Sequence, residues 1–177
     1  MIRNKSDLKE YLIEDEKALF PTGAGWFTKY KDPIYKYQVL LRKCEYFKNT
    51  SKNAYFNPLY IFCKYRMRRL GIKLNFSIPE NCFGKGLSIA HYGSIIVNPN
   101  AKIGDYCRIH VGVNIGANRT PKDVPVIGDN VYIGPGVKIF GAIKIGNNVK
   151  IGANAVVNSS FDDNVIIAGI PAKVISK

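Results

Sequence analysis

From Val97 to Val157 an aliphatic residue recurs at every sixth position: Val97, Ile103, Ile109, Ile115, then Ile127, Ile133, Ile139, Ile145, Ile151 and Val157, with Pro121 as the one interruption. Glycine follows the aliphatic at Gly104, Gly116, Gly128, Gly134, Gly146 and Gly152. A second series of small or β-branched residues stands four positions further on, at Cys107, Val113, Val131, Val137, Ile143, Val149 and Ala155. A period of six fits neither an amphipathic helix at 3.6 nor an isolated alternating strand at 2. It predicts short strands joined by tight turns, with the first and fifth residues of each hexad inward and three hexads to a triangular coil: a parallel β-helix. Stacked residues then lie eighteen apart, so Ile115, Ile133 and Ile151 form one interior ladder and Ile109, Ile127 and Ile145 another. One coil is too thin to bury its own apolar face, and stability comes from stacking on neighbours. A β-sandwich with glycine turns would not hold this phase over about sixty residues.

Ahead of the repeat the periodicity becomes helical. Ser6 is a candidate cap for a helix over 7–19, with Leu8, Tyr11, Leu12, Asp15 and Leu19 marking its faces. Residues 21–25 are a break. Asp32-Pro33 opens a helix over 33–48 with Tyr37, Leu40, Leu41, Cys44 and Phe47 on one side. Asn57-Pro58 opens a third over 58–70 carrying Tyr60, Ile61, Tyr65 and Met67, and residues 71–74 lead into the first coil. The chain thus divides into a helical region, 1–74, and a β-helical region, 75–177, making it mainly β with a short α-helical N-terminal region.

Charge sharpens that division. Residues 1–74 hold sixteen Lys and Arg against seven Asp and Glu, a net of +9, whereas 75–177 hold ten against six, a net of +4. Residues 60–70 mix cations with aromatics. That pattern suits an anionic membrane surface or a phosphorylated, lipid-linked glycan, single-stranded nucleic acid, or a solvated basic face whose aromatics pack on the coil. No nucleic-acid-binding motif is present, so nucleic acid is not expected as a partner. No run of eighteen apolar residues suggests a transmembrane helix, and the first residues lack the apolar stretch of a signal peptide. The four cysteines, Cys44, Cys63, Cys82 and Cys107, have neither metal-ligand nor redox spacing, and Cys107 falls on an inward position. A cytoplasmic protein is expected, with any membrane contact peripheral, through the basic region at the inner face.

The chain has two histidines, His91 and His110. His91 falls where the hexad phase changes: Phe83 and Ile89 are six apart, but Val97 follows Ile89 by eight. Such local additions re-aim the chain and recur beside active sites. By eighteen-residue spacing His110 shares its hexad position with Gly128 and Gly146, at or near a turn.

Several runs carry a resemblance: Ile89-Ala90-His91-Tyr92-Gly93, Val131-Tyr132-Ile133-Gly134-Pro135-Gly136, Ile151-Gly152-Ala153-Asn154-Ala155 and Ala168-Gly169-Ile170-Pro171-Ala172-Lys173. Over about residues 75 to 177 the chain resembles the hexapeptide-repeat acyltransferases, above all the serine O-acetyltransferases and their relatives in surface-polysaccharide gene clusters. The resemblance implies a left-handed coil, against the usual crossover hand, a homotrimer, and direct acetyl transfer from acetyl-CoA without a metal. It places His91 as general base, a task that suits a side chain titrating near neutrality. Tyr92, His110 and Arg119 are candidate acceptor contacts. Ala117, Pro135 and Ala153, eighteen apart, would line the pantetheine arm, flanked by Gly134, Gly136 and Gly152. Ala168, Gly169 and Lys173 would belong to a tail covering CoA, with Lys173 as a point charge for phosphate.

Two departures bear on the acceptor. The family's acidic residue before the catalytic histidine is here Ala90, and the histidine of its Arg-His-Pro run is here Thr120, between Arg119 and Pro121. These departures favour a sugar hydroxyl in surface-polysaccharide synthesis over L-serine, the alternative acceptor. A catalytically silent β-helical module is the remaining reading. A carbonic-anhydrase-like zinc site would want three histidines where the chain has two.

Overall fold

The computed structural model describes residues 1–176. Four α-helices precede the coil: α1 (Lys5–Leu19), α2 (Trp26–Lys31), α3 (Pro33–Thr50) and α4 (Pro58–Leu74), with a 3-10 turn at Ala54–Phe56. Their starts follow local chemistry. The Asn4 side chain, rather than Ser6, caps α1 by accepting the Asp7 N–H at 2.9 Å. Asp32 caps α3 through the Tyr35 N–H at 2.8 Å, with Pro33 in the first turn. Asn57 caps α4 ahead of Pro58, and α4 runs four residues beyond its expected end to a left-handed Asn75 at φ 62°. The sequence pattern does not predict α2, whose six residues are too few for a periodic signal.

The coil visits three parallel sheets in rotation. Face 1 stacks Phe76–Ser77, Ile95–Val97, Asn114–Gly116, Lys138–Phe140 and Val156–Val157. Face 2 stacks Lys102–Ile103, Val126–Ile127 and Lys144–Ile145, extended by single bridges at Phe83 and Phe161. Face 3 stacks Ser88–Ile89, Arg108–Ile109, Tyr132–Ile133, Lys150–Ile151 and Ile166–Gly169, and Ala172–Ser176 then pairs back antiparallel. The aliphatic of each hexad is buried, as at Ile109, Ile115, Ile133, Ile145 and Ile151, all at 0% exposure.

The register differs from the uniform eighteen-residue stacking. Val97 pairs Ile115 and Ile139 pairs Val157 at that spacing, but Ile115 pairs Ile139, Ile109 pairs Ile133 and Ile103 pairs Ile127 at twenty-four. The reason is the segment between Gly116 and Val126. It forms no face and closes on itself, with Asp123 Oδ2 accepting the Thr120 N–H at 3.1 Å and the Asn118 N–H donating to the Asp123 carbonyl at 3.2 Å. One whole hexad is therefore a loop. The first true ladder joins Val97, Ile115, Ile139 and Val157, and the second joins Ile103, Ile127 and Ile145. The third joins Ile89, Ile109, Ile133, Ile151 and Ile167.

The corner between faces 2 and 3 is sewn by side chains. The amides of Lys85, Asp105, Asp129 and Asn147 donate in turn to Oδ1 of Asp105, Asp129, Asn147 and Asp163, at 2.7–3.0 Å. These bonds satisfy corner amides that have no strand partner.

A buried charge cluster ties the helices to the first coil. Arg42, at 0% exposure, donates to Asp15, to Glu45, and to the carbonyls of Phe83 and Gly84. Asp15 also accepts the Leu87 N–H at 2.9 Å. Burial alone would lower the guanidinium pKa, but the two carboxylates outweigh it and raise it. Asp15 is thus the buried residue of α1. On α4 the inward residues are Tyr60, Cys63, Met67, Gly71 and Leu74, while Ile61 and Tyr65 face outward. All four cysteines are free and buried, and burial pushes the Cys107 thiol up to about 12.

Candidate active site

The corner between faces 3 and 1 gathers most of the expected site. Ser88–Ile89 delivers Ala90 and His91 to this corner, Arg108–Ile109 delivers His110, and Tyr132–Ile133 delivers Gly134, Pro135 and Gly136. One coil further along stand Gly152 and Ala153, then Ala168 and Gly169. Backbone bonds join successive levels: Gly112 N–H to the Ser94 carbonyl at 2.7 Å, Gly136 N–H to the Val111 carbonyl at 2.9 Å, and Asn154 N–H to the Pro135 carbonyl at 2.8 Å.

The two extra residues at the phase break form the loop that carries His91. It is held at its far side by the Gly93 N–H, which donates to the carbonyl of Leu74 at the end of α4 at 2.9 Å. Gly93 sits at φ 131°, and a Cβ there would stand 2.4 Å from Cγ2 of Val111. Only glycine satisfies both the backbone and the contact. Gly136, at φ 75°, is equally constrained, since a Cβ would lie 2.0 Å from Oδ1 of Asn154.

The imidazoles of His91 and His110 stand 6.0 Å apart between ring centroids, and His110 lies 5.1 Å from the Tyr132 ring. His91 and Tyr92 are exposed, while His110 is partly covered. Among the described residues His110 Nε2 is buried without a hydrogen-bond partner. Burial lowers the His110 pKa below the ordinary 6.5, and the Arg108 and His91 charges push it the same way. Arg108 is itself turned onto Ser88, donating to its Oγ at 3.0 Å. His110 therefore stays neutral near neutrality beside a solvent-facing His91. A neutral imidazole can both accept and donate a proton.

His110 is stacked between Ala90 and Gly134, not in line with Gly128 and Gly146, because the loop hexad shifts the alignment by one face. The same shift separates Ala117 from Pro135 and Ala153. Pro135 and Ala153 share the face 3–1 edge, whereas Ala117 follows the face 1 strand Asn114–Gly116 and stands on the next edge. Arg119 lies in that second edge's exposed loop. Within one chain, Ala117 and Arg119 are thus on a different edge from His91. Lys173 joins the first edge, paired with Ala168 in the antiparallel hairpin. Sequence spacing does not reveal Tyr132 and Arg108 as neighbours of His110. Tyr132 pairs with Arg108 through the ladder that joins Ile109 to Ile133, and a uniform eighteen-residue count misassigns that ladder.

The fold has counterparts among known proteins. Residues 125–159 match the family model described as bacterial transferase hexapeptide (six repeats). A serine acetyltransferase of Synechococcus elongatus is 38% identical over 99 residues, which is 55% of this chain and 41% of that protein. The match thus spans less than half of the curated relative. Among solved structures, a serine acetyltransferase from Brucella abortus superposes with a TM-score of 0.73 at 25% identity, covering 97% of this chain and 70% of that one. A serine acetyltransferase in complex with CoA superposes equally well, at 0.73, with 22% identity and coverage of 97% and 71%, a likeness of fold.

Proposed function

We propose that this protein is an acetyl-CoA-dependent O-acetyltransferase of the serine acetyltransferase type, with His91 as general base. The observation that carries the reading is the single edge on which His91, His110, Gly134, Pro135, Gly136, Ala153, Ala168, Gly169 and Lys173 fall in order. Pro135, Ala153 and Gly169 are exposed and carry no long side chain, which leaves a shelf for a thin pantetheine arm, and Lys173 supplies a cation for phosphate. The coil is taken as left-handed, because superposition on the relatives does not invert hand.

In the proposed step His91 takes the acceptor hydroxyl proton while the oxygen attacks the thioester carbonyl. A backbone N–H at the glycine-bearing corner steadies the developing negative charge. The tetrahedral intermediate then collapses with cleavage of the carbon–sulfur bond, and the departing CoA thiolate takes the proton from His91. A positioned base of this kind contributes roughly 10²–10⁴ in rate. His110 and Tyr132 shape the wall beside it. Ala117 and Arg119, on the next edge, would meet this site from a neighbouring copy in a homotrimer.

The relatives favour L-serine as acceptor over the sugar hydroxyl expected from sequence. The sugar reading keeps one specific support: Ala90 and Thr120 stand where the serine-type pattern has an acid and a histidine. CoA release from acetyl-CoA by wild type and His91→Ala, with L-serine and with a saccharide panel, tests both. Serine turnover lost in the variant supports the main reading, and turnover with saccharide alone supports the second. Full activity of His91→Ala on either acceptor overturns the assignment of the base.

A further inference from the structure

The helical region presents a face that the proposed chemistry does not use. A groove of about 680 Å³ between α2, α3 and α4 is lined by Lys36, Lys43, Arg66, Arg69 and Lys73 together with Lys29. Among the described residues only Lys29 of these six is held by a carboxylate, Glu16, at 2.6 Å. The other acids of the region are committed elsewhere. Asp15 and Glu45 hold Arg42, Glu14 holds Lys17, Glu10 holds Lys85, and Asp7 and Asp32 serve backbone amides. α4 carries no acid at all. Among the described residues the positive charge of this groove is therefore not neutralised.

Aromatics are interleaved with those cations and turned outward. Trp26 is 74% exposed and stacks on Tyr30 at 5.6 Å, and Phe62 and Tyr65 are 57% and 59% exposed. The Arg66 and Arg69 guanidiniums lie over the Phe62 and Tyr65 rings at 5.6 and 5.8 Å, and Lys36 lies over Tyr30 at 4.9 Å. Beside the groove, sharing Tyr35 and Lys43 with it, runs an apolar trough of about 770 Å³ lined by Leu8, Leu12, Phe47 and Phe62. Cations beside exposed aromatic rings and an apolar trough match the layering of a bilayer surface, where phosphates overlie acyl chains.

We infer that this face of α2, α3 and α4 docks on an anionic lipid bilayer. The cations meet lipid phosphates, while Trp26, Phe62 and Tyr65 enter the headgroup layer. The docked helix α4 ends at Leu74, whose carbonyl holds the loop carrying His91 through Gly93. Docking thus brings the candidate site to a fixed place relative to the membrane. The inference does not depend on the identity of the acceptor, nor on the acetyl-transfer reading.

The test is flotation of the full chain with vesicles of phosphatidylcholine alone and of phosphatidylcholine with about a third phosphatidylglycerol. Wild type is expected to float with the anionic vesicles only, and to be released at about 0.5 M salt. Arg66→Gln/Arg69→Gln is expected to weaken that partition about 25-fold, or about fivefold per cation. Trp26→Ala/Phe62→Ala is expected to weaken it while melting as wild type does, since both side chains are exposed. Absence of wild-type flotation, or equal flotation of Arg66→Gln/Arg69→Gln, overturns the inference. So does self-association of the wild type that the same substitutions abolish, because a second copy would then cover the face.

Discussion

Removing Asp15 tests whether the buried charge cluster fixes the helices to the coil. Asp15 accepts from Arg42 Nε at 2.7 Å, from Arg42 Nη2 at 3.2 Å and from the Leu87 amide at 2.9 Å. In Asp15→Ala the buried guanidinium keeps Glu45 alone among carboxylates, and the Leu87 N–H loses its partner. Breaking a buried pair from one side costs about 3–5 kcal/mol. For a chain of this size each kcal/mol moves Tm by about 2–4 °C, so a fall of roughly 6–20 °C is expected. Circular dichroism melts and urea titrations measure both quantities. Replacing the whole cluster, as Asp15→Leu/Arg42→Met/Glu45→Leu, removes the stranded charge and is expected to cost less than the sum of its three single changes. A loss under about 1 kcal/mol for Asp15→Ala, or strict additivity in the triple variant, would refute the reasoning.

Two further outcomes follow from the site and the loop. Because the folded state holds the His110 pKa below its ordinary value, the neutral form is favoured in the folded protein. Its contribution to stability is complete above about pH 6.5 and is lost as pH falls from there through the lowered folded value. His110→Gln should flatten that part of the urea-midpoint profile between about pH 5 and 8, and an unchanged slope would count against the burial of this imidazole. Deleting residues 118–123 removes one hexad from the loop and restores a six-residue step from Ile115 to Ile127. The coil should fold with an unchanged far-ultraviolet spectrum, and collapse of that spectrum would show that the loop supports the stack.

The hexad pattern makes the coil legible because each inward aliphatic repeats one physical requirement, the filling of a thin triangular interior. It cannot reveal the loop. An insertion of six residues keeps the phase of every later aliphatic, so Ile127 and Ile133 look in step with Ile115 although the added hexad contributes no face to the coil. The signs are compositional: Pro121 in an aliphatic position, and the polar run Asn118-Arg119-Thr120 before it. Every residue placed by counting across the loop inherits that six-residue offset, which is why Ala117 aligns falsely with Pro135 and His110 with Gly128. The helices are legible through their caps, but the choice of buried face is not. Asp15 and Arg42 are inward because they satisfy each other and three backbone groups, a pairing between distant segments that no local pattern records.

The candidate site is legible for a different reason. A regular coil makes its three edges alike, so an edge becomes distinct only where the repeat is broken. The two residues added at His91 do this, and the His110 ring stands in a stack where Gly134 and Gly152 follow. The break needs support from outside the repeat, and it has it: the Gly93 amide is bonded to the last carbonyl of α4, not to another coil. The helical region therefore sets the position of the His91 loop as directly as the coil does. A change at the end of α4 should move the candidate base without disturbing the ladders beneath it.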